Sequence, residues 1–154
     1  MFTRIIPVLL FLLIPAALPA RSVDAPFDER QITRITENLL HNLTTGCTEV
    51  KANALQLLID LDATHPEFPL EPALIPVMGI MRQHADDGLR ILAAVALQKI
   101  GGDRARFAVA RRALYDASGR VARQCARIAR HWDGDTPFAG IFADRTAEER
   151  GTEK

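Results

Sequence analysis

The chain has 154 residues, 19 Lys/Arg against 19 Asp/Glu, and two cysteines. That length is enough for one compact domain with a real hydrophobic core. The zero net charge averages two oppositely charged halves: nine acids and three bases lie between Asp24 and Glu71, whereas eight arginines and one acid lie between Arg104 and Arg130. The domain is therefore expected to be electrically polarised along its length.

Residues 1–20 read as a secretory signal peptide. Met1 to Arg4 is a short basic start, Ile5 to Ile14 is an apolar run, and Pro15 to Ala20 supplies small residues before cleavage, which is placed after Ala20. The run is too short for a comfortable membrane span, and Pro7 and Pro15 interrupt it. The alternative is an uncleaved signal anchor. Cleavage leaves about 130 residues in the periplasm or outside the cell: a linker over 21–27, a helical domain over 28–131 and a tail over 132–154.

Six helices follow in order. Asp28 can cap the first and Gln31 can complete a capping box, with Phe27 stapled onto Ile32. Apolar residues then recur at Ile32, Ile35, Leu39, Leu40 and Leu43 until Thr44-Thr45-Gly46 breaks the pattern. The second helix spans Thr48 to Leu61, with Val50, Ala54, Leu55, Leu58 and Leu61 on one side. After an irregular stretch over Asp62–Glu71, a third helix spans Pro72 to His84; Pro76 is tolerable there only in the first turn, which gives a start near Ile75 as the alternative. The fourth, Asp87 to Ile100, is apolar almost all round and so belongs at the centre of the domain. Asp103 is expected to cap a fifth helix ending near Tyr115. Ser118 is expected to cap a sixth, Arg120 to His131. No segment alternates as a strand does.

One pattern is written twice at an offset of 32 residues: Leu89, Ala93, Ala94, Leu97 and Ile100 match Val121, Cys125, Ala126, Ala129 and Trp132. An earlier copy, Val50, Ala54, Leu58 and Leu61, precedes Leu89, Ala93, Leu97 and Ile100 by 39. Repeats of this size indicate a solenoid, in which each unit buries its apolar face against its neighbours. The fold expected is all-α, a short α-solenoid of three antiparallel helix pairs. In that register Cys47 and Cys125 stand two units apart, about 20 Å at a helix spacing of roughly 10 Å. A disulfide needs Cα atoms within about 7 Å. Both thiols are therefore expected to be free, Cys125 in the core and Cys47 more exposed.

Residues 73–130 resemble HEAT-like repeats of the short type, whose pattern is aspartate, Leu/Val-Arg, Ala-Ala, Leu, Ile-Gly. The residues that carry the resemblance are Ala73 to Met78, Asp87-Gly88-Leu89-Arg90, Ala93 to Leu97 and Ile100-Gly101. The second copy keeps Asp116, Val121, Cys125-Ala126 and Ile128-Ala129, but has Ala122 where Arg90 stands and lacks the terminal Ile-Gly. The chain is also similar to small exported bacterial HEAT-repeat proteins of unknown activity. The resemblance implies an interaction scaffold more than any specific activity.

A catalytic centre is hard to assemble. Ser22 and Ser118 are the two serines, neither with a base nearby, and the glycines at 101 and 102 form a helix stop rather than a phosphate loop. No catalytic residue and no cofactor are expected. His84, Asp86 and Asp87 are one local group with metal-ligand residue types, which keeps open an enzyme or enzyme accessory with a metal-assisted site. The favoured assignment for them is structural, as helix caps.

The strongest surface signal is arginine. Arg120, Arg123, Arg127 and Arg130 form a continuous stripe on the sixth helix, and Arg104, Arg106, Arg111 and Arg112 add charge on the fifth. Arg112 and the four of the stripe are the expected contacts for an acidic protein or other acidic macromolecule. Nucleic acid is not expected, since the stripe has no aromatic residues for base stacking. Two other readings stand beside this one: a solvated polar cap on the last repeat of a purely structural envelope protein, and a surface crossed by the chain's own acidic tail. That tail, with Trp132, Phe138, Ile141 and Phe142, is expected to cover part of the last repeat and to be disordered beyond Arg145.

Overall fold

The computed structural model describes residues 27–132. Among them are six α-helices and no strand: α1 (Glu29–Thr45), α2 (Thr48–Thr64), α3 (Leu74–Gln83), α4 (Asp87–Ile100), α5 (Gly102–Tyr115) and α6 (Gly119–His131), with a 3-10 turn at Glu71–Ala73. None of these helices is long and apolar enough to cross a membrane. The signal segment at 1–20 and the tail after Trp132 lie outside the described residues.

The helix starts follow from local chemistry. At α1 the Asp28 carboxylate accepts the Gln31 N–H at 2.7 Å and the Gln31 side chain accepts the Asp28 N–H at 3.0 Å, the capping box expected. Ser118 caps α6 and Asp86 caps α4, each side-chain oxygen accepting an N–H three residues on, from Val121 and Leu89. The residue two before each of these caps repeats the arrangement: His84 Nδ1 accepts the Asp86 N–H at 3.1 Å, and Asp116 Oδ1 accepts the Ser118 N–H at 2.9 Å. At the matching place before α2 the cap is Cys47, which makes no side-chain capping bond.

One local expectation is corrected. Asp103 does not cap α5; Gly101 holds that position at φ 72°, ψ −161°, and Asp103 lies in the first turn. The 3-10 turn takes up Pro72, so α3 begins only at Leu74 and Pro76 falls in its first turn, where its missing N–H breaks no intrahelical bond. Phe27 packs its ring against His65, with centroids 4.5 Å apart, and edge-on against Phe68 at 5.8 Å, joining the start of α1 to the connection after α2.

Each odd-numbered helix packs along the helix that follows it, α1 on α2, α3 on α4 and α5 on α6. Between pairs, α2 touches α4, α4 touches α6, α1 touches α3 and α3 touches α5. Helix α4 also touches α5 and so meets four other helices, which explains its apolar sequence on every side. Leu89, Ala93, Ala94, Ala96 and Leu97 are all buried there, and the three alanines let neighbouring backbones approach closely. Lys99 Nζ meets Asp62 Oδ2 at 3.0 Å, a tie between α4 and α2 at the protein surface.

Candidate interaction surface

Helix α6 is strongly two-sided. Val121, Cys125, Ile128 and Ala129 are buried, while Arg120, Arg123, Arg127 and Arg130 are exposed on the opposite side. None of these four arginines makes an ion pair with another described residue. They stand at i, i+3, i+7 and i+10, so each faces a like charge one turn away, which costs about 0.2–0.5 kcal/mol per pair. Glu29, Glu49, Asp87 and Asp103 place an acid in the first turn of α1, α2, α4 and α5, whereas the first turns of α3 and α6 have none and that of α6 carries Arg120. A cation there opposes the positive end of the helix dipole.

Arg112 does not join the stripe. It is half-buried and its Nη1 lies 3.5 Å from Asp116 Oδ2. Asp116, whose side chain has no exposed surface, also accepts from Arg90 Nη2. Arg90 reaches further, donating from Nε to the Met81 carbonyl at 3.1 Å and from Nη1 to Asp87 Oδ1 at 3.3 Å. The Ser118 hydroxyl donates to Asp87 Oδ2, and the Ser118 N–H closes the circuit on Asp116. One polar network therefore fastens the start of α4 to the turn before α6, with each carboxylate satisfied by several donors. Sequence reasoning missed this role. Its trace was there in the Asp87, Arg90 and Asp116 matches to the repeat pattern, but nothing in the spacing says that they meet.

Beneath the network lies Cys125, with no exposed surface. Burial, reinforced by the negative charge of Asp116, pushes its thiol up to about 12. It is a core residue and chemically inert at neutral pH. Cys47 is exposed, and both thiols are free.

In the His84, Asp86 and Asp87 turn each side chain is already engaged in a hydrogen bond. His84 Nδ1 accepts the Asp86 N–H, Asp86 caps α4, and Asp87 accepts from Arg90 and Ser118. Among the described residues no three His, Cys, Asp or Glu side chains gather at metal-binding distance.

The chain matches no known family model, no curated protein and no solved structure.

Proposed function

We propose that this protein is an exported, non-enzymatic interaction module: a HEAT-like stack of three antiparallel helix pairs that presents Arg120, Arg123, Arg127 and Arg130 to an acidic partner. The observation that carries the reading is the division among the arginines. Arg90 and Arg112 are bound into the internal network, whereas the four on α6 are exposed and without an ion pair among the described residues. A face kept only for solubility is equally well served by mixed charges. Four arginines in one stripe, one of them against the helix dipole, cost stability and favour docking of an anionic surface. The stacked arrangement is supported by the serial packing of α2, α4 and α6 and by the matching turns at the starts of α4 and α6. Export rests on the sequence of residues 1–20.

The test is affinity capture from the native envelope or secreted fraction with wild type and with the Arg120, Arg123, Arg127 and Arg130→Glu variant, at low and moderate salt. The expected result is an acidic partner retained by wild type, lost in the variant and weakened by salt. Equal capture by both proteins sinks the proposal.

A further inference from the structure

Among the described residues, the first helix pair ends on an open apolar face. Ile35, Asn38 and Asn42 of α1 and Val50, Asn53 and Leu57 of α2 line a groove of about 520 Å³. Val50 and Leu57 are 36% and 44% exposed, yet the residues matching them 39 positions on, Leu89 and Ala96, are 3% and 0% exposed. Those 32 further on, Val121 and Ile128, are 0% and 3% exposed. The register is the same and the surroundings differ. Helices α4 and α6 each have a preceding second helix packed against them, α2 and α4; α2 has no such neighbour among the described residues. Among the described residues the groove is thus an unfilled stacking position.

Charge selects among possible occupants. Over Asp28–His65 there are six acids and three bases, a net charge of −3; over Gly102–His131 there are eight arginines and two acids, a net charge of +6. Groove against groove, or arginine face against arginine face, brings like charge together. Groove against arginine face brings opposite charge together. Glu49 and Asp60 stand one turn from Asn53 and Leu57 on α2, at the groove edge. The Glu49 carboxyl, held below its ordinary range by hydrogen bonds from its own backbone N–H and from Cys47, stays ionised there.

We propose that the groove seats the α5/α6 end of a second copy of this chain, so that copies stack head to tail. The inference rests on reading the α6 arginines as a docking face and names its acidic partner, the first helix pair of another copy. Asn38, Asn42 and Asn53 supply side-chain carbonyls that accept guanidinium N–H groups, and Ile35, Val50 and Leu57 cover the apolar stems of the arginines. The contact is heterologous, so an assembly that does not close into a ring keeps one open groove and one open arginine face and grows by addition.

Sedimentation velocity on the protein that accumulates when the full chain is expressed tests this, with three variants: Leu57→Asp, Asn53→Arg, and Arg123→Glu with Arg127→Glu. All four substituted positions are exposed, and circular dichroism checks that each variant is folded. Wild type is expected to associate with rising concentration, about tenfold more weakly at high salt. Each variant alone is expected to be monomeric. The decisive arm mixes a groove variant with the arginine variant: each keeps the surface the other lost, so the mixture forms a dimer and nothing larger. Monomeric wild type at low salt overturns the proposal. A dimer that survives the arginine substitutions, or a mixture that stays monomeric, does so as well. Binding of poly-glutamate separates the two readings. If wild type binds it and the arginine variant does not, without self-association, the docking face stands and the stacking falls; if wild type binds neither, both fall.

Discussion

Arg90 and Asp116 are 26 residues apart and meet in a partly buried ion pair that ties the second helix pair to the third. Asp116 has no exposed side-chain surface and Arg90 is 12% exposed, so the pair has left most of its water. Removing one partner strands the other. Arg90→Ala is expected to destabilise the fold by about 3 kcal/mol, because Asp116 keeps only Arg112 and a backbone N–H, and Arg90→Lys recovers little because Lys cannot reach Met81, Asp87 and Asp116 together. Replacing both by apolar residues, as in Arg90→Met with Asp116→Leu, should cost less than the sum of the single changes. Urea unfolding of the four proteins as a double-mutant cycle reads the coupling, and strict additivity contradicts this account.

Two glycines are required for opposite reasons, and alanine distinguishes them. At Gly46 the backbone is ordinary, φ −63°, but an added Cβ overlaps the Asn42 carbonyl oxygen and comes within 2.6 Å of Val50 Cγ1. At Gly101 an added Cβ meets nothing, but φ 72° with ψ −161° is a conformation essentially confined to glycine. Both Ala variants are expected to lose about 1–3 kcal/mol. Gly79→Ala, inside α3 with nothing within 4 Å of its added Cβ, is the control and should gain roughly 0.5–1 kcal/mol. Thermal melts of the three variants test this ordering, and a destabilised Gly79→Ala breaks it.

What the sequence revealed and what it hid divide along the range of each interaction. The Asp28 and Gln31 capping box and the Ser118 cap involve residues three apart, and all three were readable. The buried side of α4 was readable because a helix apolar all round has only one place to go. Asp103 looked like a cap by composition, and only the backbone at Gly101 shows why it is not. Arg112 looked like part of a charged surface because sequence displays a charge without displaying its partner. Val50 reads as a core residue by periodicity and is 36% exposed, since periodicity marks the face a helix turns inward, not whether another helix covers it.

The two cysteines offer a direct probe of the local environment. Cys47 is exposed at the start of α2, whereas Cys125 is enclosed and its thiol is raised to about 12. At pH 8 a disulfide-exchange reagent is expected to titrate one thiol in the folded protein and two in denaturant. The slow thiol should react only as fast as the fold opens. Rapid modification of Cys125 in native protein would show that the space beneath the Asp116 network is open to solvent.

Arg120 supplies the last prediction. It lies in the first turn of α6, against the positive end of the helix dipole, with Arg123 one turn ahead and no described ion-pair partner. Arg120→Glu removes a cation from that end, places an anion there and creates an opposite-charge pair with Arg123 at i+3. The expected gain is about 0.5–1 kcal/mol, read as a rise in Tm at low salt that shrinks at high salt. The same variant is expected to weaken capture of the acidic partner. Gain in one assay and loss in the other mark a residue placed for binding at the expense of the helix that carries it. A rise in Tm with capture unchanged would leave Arg120 outside the docking face and shift the contact toward Arg123, Arg127 and Arg130.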